Sequence, residues 1–245
     1  MKKIALITGT TSGIGRVTAL KLAKEGYNLI LAGPRSDRLA ELQKEIESKY
    51  KSKVLLLSFD IRVYTEVEDA LLKNIPTEWS NIDVLVNNAG LGSFSPIHEW
   101  DTQDWNDMID TNIKGLLYAT RAITPGMVLR RSGHIINIGS TVERETFQNG
   151  NVHCATKFAV DGLSKGMRLD LQQYGIRVTQ ICPGRVEADF ALVSYKGDTE
   201  QAKNIYEIYT SLKVEDIANA ISYALSQPAH VKVQDIFVLH ATQVL

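Results

Sequence analysis

The chain has 245 residues, 44% of them hydrophobic and 22% charged, and its 27 basic and 28 acidic side chains leave a formal net charge of -1. That composition can fill one large core, and with no basic tract or acidic tail it excludes an electrostatic case for a nucleic-acid or membrane-surface partner. No apolar run approaches the roughly 18 residues of a membrane span, and the run after Lys2-Lys3 breaks at Thr8-Gly9, too soon for a secretory signal, so a cytoplasmic globular protein is expected.

Ile4-Ala5-Leu6-Ile7 is a continuous apolar run between Lys3 and Gly9, as a strand buried on both faces requires. Similar runs at 29–32, 54–59, 82–86, 135–138, 176–181 and 236–239 alternate with helical patterns at 13–26, 36–50, 64–75, 102–131, 152–173 and 214–226. In the second helix Leu39, Leu42 and Ile46 share one face while Asp37, Glu41, Lys44 and Glu45 fill the other. In the last, Ile217, Ala220, Ile221 and Ala224 recur at the same spacing. The alternation predicts an α/β fold: one doubly wound parallel sheet of about seven strands with helices on both faces, a single domain over residues 1–245. Residues 187–212 are polar with scattered aromatics and fit the alternation poorly. They follow a strand end, at the edge where such sheets bind ligands, and read as a substrate-covering lid or as a plain surface insertion. Cys154 and Cys182 share no metal-ligand spacing and are expected as buried thiols of a reducing compartment, with no metal site.

Thr8-Gly9-Thr10-Thr11-Ser12-Gly13-Ile14-Gly15 follows the first strand and opens the first helix. Main-chain N–H groups at a helix N-terminus attract phosphate, and glycines allow close approach. In this strand-turn-helix context the pattern predicts a Rossmann-type dinucleotide site that uses Gly9, Thr11, Ser12, Gly13, Ile14 and Gly15. A carboxylate at the end of the second strand would bind the 2'-hydroxyl of NAD. Gly33 stands there instead, followed by Pro34-Arg35-Ser36-Asp37-Arg38, so a 2'-phosphate would meet Arg35 and NADP is expected over NAD. Arg38 either assists or is an exposed residue of the next helix. Asp60, with Ile61 beside it after the third strand, either accepts a hydrogen bond from the adenine amino group or serves as a turn residue.

Further along, Asn87-Asn88-Ala89-Gly90 closes the fourth strand, Asn112 lies within the next helical stretch, and Ser140 follows the fifth strand. Lys157 is on the helix after that, and Pro183-Gly184 follows the sixth strand. With the Thr8–Gly15 loop these pieces stand in one order, and over nearly its full length the chain resembles the short-chain dehydrogenase/reductase family. Asp83 to Gly90, Met108 to Gly115 and Gly133 to Ser140 are most similar to the branch acting on serine and 3-hydroxy acids. The resemblance implies reversible hydride transfer between NADP(H) and an alcohol or carbonyl carbon of a small molecule. It implies that Ser140 hydrogen-bonds the reacting oxygen, that Lys157 holds the nicotinamide ribose and lowers the pKa of the proton-transferring group, and that Asn112 anchors a water in the proton relay. It adds Asn87, Ala89, Gly90, Pro183, Gly184 and Val186 to the cofactor contacts. It also implies a homodimer or homotetramer, which the small Ala155, Ala159 and Gly162 on one helix would suit.

One departure bears on the chemistry. Where the family has a tyrosine four residues before the lysine, on the same helix face, this chain has His153. Histidine is an acid/base near neutrality, but Lys157 nearby should depress its pKa and leave a neutral ring at pH 7. Imidazole is also shorter than phenol and can need a water to reach the substrate oxygen. Ala188 stands where the family commonly has a cofactor-contacting threonine, and Val142-Glu143 replace small residues. Three readings are open: His153 as a working or water-assisted acid/base, as a variant of an active reductase, or as the mark of a catalytically silent NADP(H)-binding sensor or structural subunit. For a hydroxy acid, Arg144 and Arg185 are candidates for the substrate carboxylate, each with a plain surface role as the alternative. Phe94, Phe147 and Tyr195 either line the pocket or simply pack.

Overall fold

The computed structural model describes residues 2–187 and 211–243. Its strands are β1 (Ile4–Thr8), β2 (Asn28–Gly33), β3 (Val54–Ser58), β4 (Ile82–Asn87), β5 (Gly133–Ile138), β6 (Ile176–Pro183), β7 (Val186–Glu187), β8 (Leu212–Lys213) and β9 (Asp235–Val238). Seven of them form one sheet in the order β3-β2-β1-β4-β5-β6-β9, with every neighbouring pair parallel. The helices are α1 (Gly13–Lys24), α2 (Ser36–Lys49), α3 (Tyr64–Glu68), α4 (Thr102–Ile109), α5 (Leu116–Arg130), α6 (Asn151–Leu171) and α7 (Val214–Ser226). None among the described residues is long and apolar enough to cross a membrane.

The continuous apolar runs have a direct cause, since successive side chains of a strand point to opposite faces and both faces are covered. Ala5, Ile7, Leu29, Leu31, Val84 and Val86 pack with Leu22, Leu39, Leu42, Ile217 and Ile221 of α1, α2 and α7. Their neighbours Leu6, Ile30, Ala32, Leu85 and Ile135 pack on the other side with Val67, Ala119, Ile123 and Met127. Strand order reverses at β1, which has β2 on one side and β4 on the other. The carboxyl ends of those strands therefore diverge into a crevice, the place where open parallel sheets bind ligands.

Three local features differ from the expectation. The helix at 64–75 is α-helical only to Glu68 and continues as a π-turn over Asp69–Lys73. The long helix at 102–131 is divided into α4 and α5 by a π-turn over Asp110–Gly115. A π-turn inserts one residue without disturbing the apolar stripe on either side, so hydrophobic periodicity passes over it. The two-residue strands β7 and β8 are too short to carry a period. They pair Val186 with Leu212 and Glu187 with Lys213, which brings the two ends of the 187–212 segment together. The rest of that expected lid, including Ala188 and Tyr195, lies outside the described residues.

His134 on β5 is buried, with its Nε2 2.8 Å from Thr179 Oγ1. Burial first, then Arg177 and Lys3, pushes its pKa down to about 3, against about 6.5 in an unfolded chain. With the folded pKa depressed, its stabilising contribution is complete above pH 6.5 and is lost as pH falls toward 3. His134→Gln is expected to flatten the decline of Tm between pH 6.5 and 4, measured by thermal denaturation, whereas an unchanged slope would show that other groups control the acid limb.

Candidate active site

A cavity of about 560 Å³ runs along the carboxyl edge of the sheet. Its floor is built where the loops after β1 and β4 meet. Gly9 has φ +69°, and a Cβ there would lie 2.8 Å from Ala89 Cα, so only glycine permits this approach. Thr8 Oγ1 accepts from the Asn88 and Ala89 N–H groups at 3.1 and 3.0 Å, and Asn88 Nδ2 donates to the Thr8 and Gly9 carbonyls at 2.9 and 3.1 Å. Gly15 packs against Asn88 and the Gly9 carbonyl behind this floor.

Of the residues expected to hold the cofactor, Gly9, Thr11, Ser12, Gly13, Ile14, Arg35, Asp60, Ile61, Ala89, Gly90, Lys157, Pro183, Gly184 and Val186 line the cavity. Gly15, Arg38 and Asn87 do not line it. Arg38 is exposed on α2. Asn87 is buried under the strand ends, where its Nδ2 donates to Thr120 Oγ1 at 3.0 Å and Asn137 Oδ1 at 2.9 Å. Its neighbour Asn88 is the one that borders the cavity, a distinction the Asn-Asn pair alone did not give. Thr8, which opens the glycine-rich loop, also lines the cavity, as do Phe59, Arg62, Leu91 and Thr111, which were not singled out from sequence.

At one end, β2 finishes on Gly33 with no carboxylate, and Arg35 reaches back across the glycine-rich loop. Its Nε and Nη2 donate to Thr11 Oγ1 at 3.0 and 2.5 Å, and Nη2 also donates to Ser12 Oγ at 3.1 Å. The cation is thus oriented by neutral hydroxyls, and no ion pair engages it among the described residues. Next to it, Asp60 forms a turn in which Oδ1 accepts from the Arg62 N–H at 2.9 Å, while the Arg62 guanidinium binds both carboxylate oxygens. Arg62 hydrogen bonding holds the Asp60 carboxyl below its usual pKa, and Arg62 also reaches Asp107 of α4 at 2.8 Å. Asp60 thus forms a turn and lines the cavity as well.

At the other end, Ser140, His153 and Lys157 line the cavity together. Ser140 caps the short turn Thr141–Glu143, with its Oγ 3.4 Å from the Val142 N–H and from the Pro183 carbonyl. His153 and Lys157 stand one turn apart on α6 and so face the same way. Lys157 Nζ donates to the Ile138 carbonyl at 2.9 Å, and burial pushes its pKa down to about 8 while Glu143 pulls the other way. His153 is 5% exposed, and burial, then Lys157, pushes its pKa down to about 4, opposed by a hydrogen bond to the Leu91 main chain. Phe94 meets the His153 ring edge-on at 5.7 Å and Phe147 at 5.3 Å, forming an aromatic wall; neither phenylalanine lines the cavity.

Asn112 sits in the π-turn outside the cavity lining. Its Oδ1 accepts from the Leu91 N–H at 2.7 Å, and its Nδ2 donates to the Leu91 carbonyl at 2.8 Å and to Thr156 Oγ1 at 2.9 Å. The carboxamide thus clamps the same main-chain segment that His153 contacts. Arg144 and Arg185 are exposed and outside the lining, with the Arg144 guanidinium 3.8 Å above the centre of the Phe237 ring. Arg185 follows the lining residue Gly184 directly, and its N–H donates to Gln243 Oε1 at 3.1 Å.

Comparison with known proteins agrees with this geometry. The chain is 42% identical over 242 residues, 98% of its own length and 96% of the relative's, to the NADP-dependent 3-hydroxy acid dehydrogenase YdfG of Salmonella typhi. It is 38% identical over 245 residues, 99% of this chain and 96% of the relative, to sulfoacetaldehyde reductase 2 of Chromohalobacter salexigens. The closed form of a serine dehydrogenase complexed with NADP+ superposes with a TM-score of 0.94 at 40% identity, covering 99% of this chain and 96% of that one. The short chain dehydrogenase pattern matches residues 3–198, and the chain belongs to that family.

Proposed function

We propose that this chain is an NADP-dependent oxidoreductase acting on a small hydroxy acid or a related alcohol or carbonyl compound. The observation that carries the reading is one cavity with an oriented, carboxylate-free Arg35 at one end and Ser140, His153 and Lys157 at the other. The residues present fit the cofactor: the Thr11–Ile14 segment at the start of α1 suits the pyrophosphate, Arg35 the 2'-phosphate, and Lys157 the nicotinamide ribose. Pro183, Gly184 and Val186 would flank the carboxamide. When bound, NADP(H) supplies or accepts the hydride.

The protein's own part is to hold the substrate oxygen and move its proton. Ser140 Oγ, half-buried at the cavity wall, hydrogen-bonds the reacting oxygen. His153, with its pKa near 4, is neutral at pH 7. A neutral imidazole has one N–H and one lone pair, so at that pH the ring acts as a base, taking the proton from an alcohol directly or through a water. Both named relatives act on substrates bearing an acid group, which supports an anionic substrate here. Arg185, which directly follows the lining residue Gly184, and Arg144, stacked on Phe237, are the two candidates for the substrate carboxylate. Residues 187–212 would cover the substrate as a lid, joined at its base by the β7–β8 pair. The exposed face of α6 carrying Ala155, Phe158 and Gly162 supports a homo-oligomer.

Three measurements test these points. Arg35→Ala is expected to weaken NADPH binding about 10- to 100-fold while leaving NADH almost unchanged, read by fluorescence titration; an equal loss for both would remove Arg35 from the phosphate site. A panel of hydroxy acids and oxo acids with NADPH and NADH, run on the native chain and on His153→Tyr, is expected to show reduction about 10²-fold faster in the variant. A variant rate no higher than native would make histidine the better catalyst in this site, and native NADPH binding with no alcohol oxidised at any pH would favour the silent binder. A Cβ on Gly162 meets nothing within 4 Å in its own subunit, so Gly162→Arg should leave the fold intact and reduce the assembly measured by light scattering.

A further inference from the structure

Directly behind Ser140 lies a charged group that the mechanism above does not use. Glu143 is 4% exposed and ends the turn that Ser140 opens. Its Oε2 accepts from Gln180 Nε2 and, at 3.4 Å, from the Ser140 N–H; its Oε1 accepts from Cys182 Sγ at 3.2 Å. Three donors from two segments converge on one carboxyl group and favour its ionised form, working against the burial that raises its pKa. The segment it holds is also the one Lys157 holds. Lys157 Nζ binds the Ile138 carbonyl, Glu143 binds the Ser140 N–H, and a Cβ on Gly139 between them would lie 2.6 Å from Glu143 Oε2.

We propose that Glu143 is a positioning residue for this reaction, a buried carboxylate that fixes the Ser140 turn and supplies the counter-charge that keeps Lys157 protonated. Among the described residues, the charges of Glu143 on the turn and Cys182 on β6 act on Lys157, with His153 one turn earlier on its own helix. Glu143 meets Cys182 from β6 and Asp161 from α6, and Lys165 of α6 feels its charge. Burial lifts the Glu143 carboxyl, and the Asp161 charge adds to that, while the Cys182, Ser140 and Gln180 donors pull it down. The Cys182 thiol is itself pushed up by burial and by Glu143, so it remains a donor to the carboxylate. Removing the negative charge takes away the larger of the two effects that oppose burial at Lys157, which then gives up its proton at lower pH.

The inference rests on the proposed NADP site only for what Lys157 does there; its charge is measurable without cofactor. In protein carrying ¹³C-labelled lysine, the Lys157 Cε resonance, assigned by its loss in Lys157→Met, reports the titration midpoint. Glu143→Gln is expected to lower that midpoint by about one pH unit or more. Glu143→Asp, which retains the charge, should restore most of it, and Glu143→Ala provides a second neutral variant should the amide disturb the Gln180 and Cys182 donors. A Lys157 midpoint unmoved in a folded neutral variant would overturn the proposal and leave Glu143 as a turn cap. A parallel NADPH titration across pH should show affinity falling at lower pH in Glu143→Gln than in the native chain. Failure of the native chain to bind NADPH would instead sink the cofactor reading, with the lysine titration still deciding the present one.

Discussion

The main-chain approach of Gly9 to Ala89 is the contact on which the site depends. Polar groups at the ends of buried strands must find partners as the ladders run out. Here the ends of β1 and β4 satisfy each other through Thr8 and Asn88, whose side chains bond across the gap to main-chain groups of the opposite loop. A side chain at Gly9 would force the two loops apart. The start of α1, with its unpaired N–H groups, and the Ala89-Gly90-Leu91 segment are therefore placed relative to one another before any ligand arrives. Arg35 inherits the same precision because it is oriented by Thr11 and Ser12 of that loop.

From that floor the second half of the site is built through Leu91. Asn112 takes both polar groups of the Leu91 main chain, and His153 also bonds to it. The π-turn at Asp110–Gly115 re-aims Asn112 without interrupting the buried stripe of α4 and α5, a known use of such turns at functional sites. Burial then acts on two neighbouring cations with different results. It leaves Lys157 charged at pH 7, with a pKa near 8, and His153 neutral, with a pKa near 4. At neutral pH an uncharged ring and a positive charge thus stand one turn apart on α6.

The sheet was legible because its strands are buried on both faces. Runs such as Ile4–Ile7 and Leu29–Ala32 have no polar alternation to confuse them with surface strands, and the glycine-rich loop is local in sequence. The charge state of His153 was legible in direction from Lys157 alone, although burial proves the larger cause. What sequence could not give was the partner of each polar side chain. Asn87 and Asn88 are adjacent, yet one is buried against Thr120 and Asn137 and the other borders the cavity, because successive residues at a strand end face opposite ways. Glu143 looked like a mere replacement of a small residue; its donors, Gln180 and Cys182, lie more than thirty positions away on β6. The Arg62 bridge between Asp60 and Asp107 joins the turn after β3 to α4 in the same way.

Cofactor binding and proton transfer make different demands on this structure. The proposed cofactor contacts are spread over the α1 start, Arg35, the loop after β4 and the loop after β6, all of which line the cavity. The proposed proton transfer rests on one turn of α6, where a positioned acid/base would be worth on the order of 10²–10⁴ in rate. A change of tyrosine to histidine can therefore alter turnover while the fold and the cofactor site persist. The same burial that keeps the ring neutral also strengthens every charge nearby, because fewer water dipoles screen it. A base that must work beside a fixed cation holds a proton poorly, and it gains most if that cation is itself balanced. In this chain the proposed balancing group is within the fold, at Glu143, where its charge opposes the burial that lowers the Lys157 pKa.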